Sequence, residues 1–300
     1  MMIAIGLAAM ILFGWRALDR RLRPRRSPLS MGLLRPAGYS LLKKIEALDS
    51  AANDDLLVVI VTPLILVALY SSQVADGKNS PTIFMVWLYI IGGIALVIFF
   101  ATKLVRRLRK RREYGLGLDC ELAVGQELSN LLRYGYYVFH DVPADGFNID
   151  HVVVGPNGIF AIETKGRSKP FDPQGKVQWK VQYDGQALVF PSWRETKPLK
   201  QAKDQAQWLS RWLTKATGAA VSASPILALP GWYVERSARS EVMVFNGRTP
   251  EAVFPKIISG KRLGPEEVQR IVYQLDQRCR DMALTAYEYE RKGRTSALGS

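Results

Sequence analysis

Thr82 to Thr102 is an uninterrupted apolar run, closed by Lys103, Arg106, Arg107, Arg109, Lys110, Arg111 and Arg112. It constrains the fold more than any other segment, because a helix of about 20 apolar residues is what crosses a hydrocarbon core of about 30 Å. Leu56 to Ser72 is a second, shorter run, free of charge between Asp55 and Asp76. It contains Pro63, which a membrane helix tolerates. The polar link Gln73 to Pro81 would join the two as a hairpin, the alternative being a buried hairpin in a soluble core. Cations follow the hairpin, and Lys43 and Lys44 precede it. The positive-inside rule then puts both flanks in the cytoplasm of a bacterial-type inner (plasma) membrane, the protein being multi-pass.

Met1 to Trp15 is a third apolar run, followed by Arg16, Arg20, Arg21, Arg23, Arg25 and Arg26. A signal peptide carries its cations before the apolar stretch, so this order argues against one. The run reads as a short span, or else as an interfacial helix. Two or three helices therefore meet the lipid bilayer. The expected organisation is a membrane segment at 1–15, a cytoplasmic linker at 16–55 with a short helix at Ser40 to Asp49, and the hairpin at 56–102. A basic juxtamembrane linker at 103–116, a folded domain at 117–250 and a C-terminal helix and tail at 251–300 complete it.

The net charge of +14 divides unevenly. Residues 1–112 hold 17 Lys and Arg against 6 Asp and Glu, whereas residues 113–300 hold 24 against 21. The basicity thus reports membrane orientation more than affinity for nucleic acid. The run from Lys103 to Arg112 is a stop-transfer anchor first, and a grip on lipid headgroups or a phosphate backbone second. Cys120 and Cys279 are isolated, which speaks against a zinc site or a disulfide framework. His140 and His151 are the only histidines, and no nucleophile elbow, phosphate-binding loop or dinucleotide fingerprint accompanies them.

Beyond Tyr114 the pattern becomes globular. Leu118, Leu122, Leu128, Leu131 and Leu132 follow helical spacing up to a stop at Gly135, with Glu127 on that helix. Strands are expected at Tyr136 to His140, Asn148 to Val154 and Ile159 to Lys165. A second pair, Val177 to Tyr183 and Gln186 to Phe190, would turn at Asp184-Gly185. A helix follows from about Pro198 to Thr217, then strands at Ala223 to Leu229 and Val242 to Phe245. A last helix opens at Pro265-Glu266-Glu267, and the tail frays beyond Tyr289. The sum is an α/β domain, a mixed β-sheet flanked by helices, preceded by an all-α transmembrane region.

Within it, Asn148 to Lys165 carries the chemistry. Side chains two apart on a strand share a face, so Glu163 and Lys165 point together, and Asp150 joins them if Gly155-Pro156-Asn157-Gly158 makes a hairpin. Two carboxylates beside an ammonium suit a hard divalent cation and a phosphate that gains charge. His151, next to Asp150, should face the other way and be buried. Trp179 and the Trp208/Trp212 pair offer faces for base stacking, although aromatics at helical spacing are usually core.

Several of these segments together resemble a known family. Gly125-Gln126-Glu127, Asp141 after a Tyr-Val-Phe-His strand, Asn148-Ile149-Asp150-His151, Gly155-Pro156-Asn157-Gly158 and Ile162-Glu163-Thr164-Lys165-Gly166 occur in the order of the nuclease-related domain (NERD). That family is grouped with the PD-(D/E)XK, restriction-endonuclease-like nucleases, and the resemblance covers about Gly117 to Phe245. It implies a restriction-endonuclease-like mixed sheet. It also implies Asp150 and Glu163 as ligands of Mg²⁺ (or Mn²⁺), Lys165 as catalytic lysine, and Glu127 as a further acid and metal ligand from the first helix. Gln201, in Pro198-Leu199-Lys200-Gln201, matches the family's Pro-x-x-Gln. Ile149 departs from the wider superfamily, where a proline often precedes the Asp. Arg167 and Lys169 become candidates for nucleic-acid contacts. The expected activity is metal-dependent hydrolysis of nucleic acid, DNA first, with a homo-dimer as one arrangement. A non-catalytic binding or scaffold module of the same fold is the alternative, and an acidic pocket for a nucleotide or protein partner is a third.

Overall fold

A computed structural model describes residues 14, 29, 31–75, 82–238 and 240–282. The expectations for Met1 to Trp15 as a span, for the tip of the hairpin loop and for the tail beyond Tyr289 lie outside these residues. The chain divides into two units. In the first, Met1–Leu34 with Arg280–Ser300, Leu33 and Met282 form an isolated antiparallel bridge. The second unit is Arg35–Cys279.

The second unit opens with two long helices, α1 (Tyr39–Ala75) and α2 (Ile83–Leu128). Both are long and apolar enough to cross a membrane. Their apolar stretches stay exposed: Leu64, Ile83, Phe84, Ile91 and Phe99 are each at least 60 % exposed. A soluble protein rarely leaves such a surface to water. Each helix is longer than expected. α1 runs through the residues expected as the end of a linker and across Pro63, while α2 runs through the expected linker at 103–116 without a break. No proline interrupts Ile83 to Leu128, and Arg, Lys, Leu and Glu all favour helix. A six-residue 3₁₀ segment, Ser129–Tyr134, then ends at Gly135, whose φ of 77° is the left-handed stop expected of that glycine.

The central sheet has the order β1-β2-β3-β7-β9, with β1 Tyr137–Pro143, β2 Asn148–Gly155, β3 Gly158–Thr164, β7 Ala223–Ala228 and β9 Met243–Phe245. The first three strands pair antiparallel, and β3, β7 and β9 pair parallel. The β2–β3 hairpin turns at Gly155↔Gly158. Gly158 has φ 115°, and a Cβ there would meet the Ser259 carbonyl oxygen at 2.5 Å, so only glycine fits. A smaller sheet, β6-β5-β4-β8, comprises β4 Lys180–Tyr183, β5 Leu188–Val189, β6 Arg194–Glu195 and β8 Tyr233–Arg236. β4 and β5 form the expected second pair, whereas β6 and β8 are too short to show a period in the sequence.

Helix α3 (Lys197–Thr217) and helix α5 (Pro265–Cys279) cover one face of the central sheet; the short helix α4 (Pro250–Val253) lies between β9 and α5 in the chain. Leu209, Leu213, Ile271 and Leu275 close on Val152, Val154, Ile159 and Ala161. On the opposite face, Val124 and Leu128 of α2 pack with Val153, Phe160, Ile162 and Phe254. Fully burying one such Leu or Ile contributes about 1.5–3 kcal/mol. β2 and β3 are thus sandwiched between helices, which is why their sequences are almost continuously apolar and any charge within them stands out.

Candidate functional site

The β1–β2 ladder changes its alternation where the acids sit. Phe139, Val152 and Val154 pack with α3 and α5, and so do Val142 and Ile149, which strict alternation would turn to the other face. The switch falls on Asp141 and Asp150. Asp141 has φ 48°, an uncommon backbone for a non-glycine residue. Asp150 lies just beyond the last β2–β3 rung, His151↔Ile162, and its Oδ2 accepts the Thr164 backbone N–H at 2.7 Å. This stitches Asp150 to the end of β3, beside Glu163.

Glu163 is 1 % exposed. Its Oε1 accepts from Lys165 Nζ and its Oε2 from Gln205 Nε2, and Gln205 is itself buried. A buried carboxylate without such donors would carry a desolvation penalty of several kcal/mol. Gln205 Nε2 also reaches the Asn148 carbonyl at 3.3 Å, so one side chain ties α3 to both strands of the hairpin. Lys165 is held by its backbone as well, its N–H donating to Ala228 O at 2.9 Å.

A third carboxylate enters from α2. Glu121, 8 % exposed, is pushed up to about 8 by burial, then by the charges of Asp141 and Glu163, against the pull of Lys165 and Lys44. Asp150 is pushed well above the ordinary carboxylate range, first by desolvation and then by Glu163 and Glu121. These acids feel one another strongly, and together they want a positive charge or a proton. The resemblance pointed to Glu127, but the helix acid that couples to Asp150 and Glu163 is Glu121. Residues six apart on an α-helix lie about 240° apart around its axis. Glu121 shares the inward face with Val124, Gly125 and Leu128, and Glu127 is turned away and half-exposed. Likewise the glutamine bonded to Glu163 is Gln205, with Gln201 one turn earlier on the same face. Asp150, Glu163 and Lys165 come together as the hairpin reading expected.

The remaining candidates do other things. Arg167 makes a two-pronged pair with Glu195, Nε to Oε1 at 2.9 Å and Nη2 to Oε2 at 2.8 Å. Lys169 lies against Gly231, its Nζ 3.5 Å from where a Cβ would stand. Trp208 stacks on Trp212 with ring centroids 6.0 Å apart, and the Arg278 guanidinium covers both at about 5 Å, so this pair is structural. His151 is buried as expected, its Nδ1 2.9 Å from His140 Nδ1. Such a pair requires opposite tautomers, one ring donating and the other accepting. Next to it, Asp141 accepts from Arg35 Nη1 at 2.9 Å and from Ser40 Oγ at 2.7 Å, which fastens the start of α1 to the sheet. Arg35 and Ser40 carry no motif and were missed by sequence reasoning.

Carboxylate oxygens are the donor type of a hard divalent cation such as Mg²⁺ or Mn²⁺, and Glu121, Asp150 and Glu163 supply that type. Among the described residues, no group of three or more His, Cys, Asp or Glu side chains is placed to hold a metal ion. Both oxygens of Glu163 are engaged by Lys165 and Gln205, so ligation by Glu163 requires one of those donors to yield.

A mixed sheet that brings two acids and a lysine together at the ends of adjacent central strands, with a third acid supplied by a flanking helix, defines an α/β domain with a nuclease-like fold. Residues 116–230 match the nuclease-related domain, NERD. The match includes Glu121, Asp150, Glu163, Lys165 and Gln205, and leaves β9 and α5 outside. Comparison with curated proteins and with solved structures returns no match.

Proposed function

We propose that this chain is a membrane-anchored, metal-dependent nuclease that hydrolyses phosphodiester bonds in nucleic acid, with DNA as its first substrate, at the cytoplasmic face of a bacterial-type inner membrane. The observation that carries the reading is the buried cluster of Asp150, Glu163 and Lys165, joined by Glu121 and Gln205. Asp150, Glu121 and Glu163 would hold the cation. The chemistry such a cation would supply there is Lewis acidity toward a water and an offset to the charge of the phosphate.

The chain's own residues do the rest. Lys165 sets an ammonium beside the reacting phosphorus, where negative charge grows during in-line displacement. Gln205 fixes the rotamer of Glu163, so that the carboxylate does not have to be ordered at the moment of reaction. The surrounding apolar core keeps bulk water from screening these charges. α1 and α2 would tether the site to the bilayer and confine it to nucleic acid close to the membrane.

The test is cleavage of labelled single- and double-stranded DNA and RNA by the full chain in detergent, with Mg²⁺ or Mn²⁺, beside Glu163→Gln and Lys165→Met. Both variants are expected to lose cleavage by a factor on the order of 10²–10³ while retaining oligonucleotide binding. Undiminished cleavage by Glu163→Gln would sink the reading. The engaged state of both Glu163 oxygens favours a second reading, a non-catalytic nucleic-acid-binding module of the same fold. Binding without cleavage in every metal condition would select it.

A further inference from the structure

Residues 165–180 leave the site and form an exposed loop. They hold Lys165, Arg167, Lys169, Lys176 and Lys180 against Asp172 alone, while residues 113–300 as a whole carry 24 cations against 21 acids. Outside this one stretch that region therefore has no positive excess, and within the stretch Lys165, Arg167 and Lys180 pair with Glu163, Glu195 and Glu235. The loop is firmly built: Asp172 Oδ1 accepts the backbone N–H groups of Gln174 at 3.0 Å and Lys176 at 2.8 Å, and Gln178 N–H donates to Pro170 O at 2.9 Å. At its base, Trp232 Nε1 donates to Arg167 O at 3.0 Å.

What this frame displays is aromatic. Phe171 and Val177 are bridged across the loop, and Val177 and Trp179, two apart, share a face of the extended chain. Trp179 meets Tyr233 of β8 edge to face, ring centroids 5.5 Å apart, and the Lys180 ammonium lies within 6 Å of both rings. Phe171 is 69 % exposed, Trp179 44 % and Tyr233 52 %. Large rings left in water on a braced frame, interleaved with cations, call for a ligand with flat faces and negative charge.

The geometry points to a stacking platform for single-stranded nucleic acid, formed by Phe171, Trp179 and Tyr233 with Lys169 and Lys180 binding its phosphates, Lys180 by giving up its 2.7 Å pair with Glu235. It rests on the nuclease reading for its purpose and deepens it: the substrate delivered to Glu163 is a single strand or an unpaired end. From Lys165 to Phe171 the chain reaches at most about 20 Å, so the platform would hold bases within roughly six nucleotides of the cluster. Bases can stack there only when unpaired, which makes the surface selective for strandedness and indifferent to sequence.

The experiment measures binding of a fluorescent 20-nucleotide single strand, its duplex and a fully abasic strand by the full chain in detergent with EDTA, so that cleavage plays no part. The single strand should bind about tenfold or more tightly than the abasic one. Trp179→Ala should weaken the single strand about tenfold, Phe171→Ala and Tyr233→Ala by similar factors, and Trp179→Phe should restore most of the loss. Equal binding of the abasic strand, or no effect of Trp179→Ala, overturns the proposal. So does quenching of Trp179 by brominated lipid in nanodiscs together with unchanged oligonucleotide binding, which would make the patch a membrane contact. Failure of the nuclease reading appears separately, as absent cleavage with this binding pattern intact.

Discussion

Gln205 and Glu121 are the residues on which the cluster turns, and neither stood out in the sequence. Gln201 and Gln205 are one turn apart on a single helix face, so periodicity cannot choose between them. The choice is made by the depth at which α3 crosses β3, a property of packing. Gln205→Ala should leave a Glu163 oxygen buried without its donor and cost about 1–3 kcal/mol of stability, read by thermal unfolding, together with most of the cleavage. Gln201→Ala should change the unfolding transition little.

His140 offers a pH test on the same scale. Burial pushes it down to about 4, so the folded chain keeps it neutral while the unfolded chain takes up a proton below about pH 6.5. Its contribution is complete above pH 6.5 and is lost as the pH falls towards 4. Glu121 acts in the opposite sense: raised to about 8, it removes stability as the pH climbs from 4.5 to 8. His140→Gln should flatten the acid limb of melting temperature against pH, and Glu121→Gln the neutral limb. Identical slopes in wild type and variant would count against the burial of each group.

At the scale of elements, the hairpin strands, Gly135, Gly158, α3 and α5 were legible because period, turn residues and caps all agree there. The continuity of α2 was not. Its composition changes abruptly at Lys103 from apolar to basic, and a change of solvent looks like a change of element. The cations do more than anchor. Asp55 of α1 is 2 % exposed, accepts from Arg107 Nη1, and lies 3.5 Å from Lys103 Nζ, so a buried acid held by two part-exposed cations clamps the two helices where they leave the apolar zone. Removing Arg107 leaves the buried Asp55 with Lys103 alone, at 3.5 Å. Arg107→Ala should cost about 1–3 kcal/mol in detergent unfolding, while the pair Asp55→Asn with Arg107→Met should recover much of that. Equal losses in the single and the double variant would show that the clamp contributes only through its shape.

For the whole molecule, the sequence foretold the membrane-compatible region and the folded domain but drew a linker between them. Charge and hydropathy report the solvent around a residue; they do not report whether the backbone stops. The full chain should remain with membranes through alkaline carbonate washing, and a version lacking residues 56–102 should be released. Release of the full chain as well would make α1 and α2 a peripheral hairpin.

The unbroken α2 has one more consequence. Its 46 residues extend about 70 Å, with Phe84 and Phe99 at one end and Glu121 near the other. The rod is a lever: a few degrees of tilt, the usual response of a helix to a thicker or thinner bilayer, swings its far end by several ångströms. Because Val124 and Leu128 seat the last turns of α2 on the sheet, such a swing would carry Glu121 and the strands that hold Asp150 and Glu163 together, as one body.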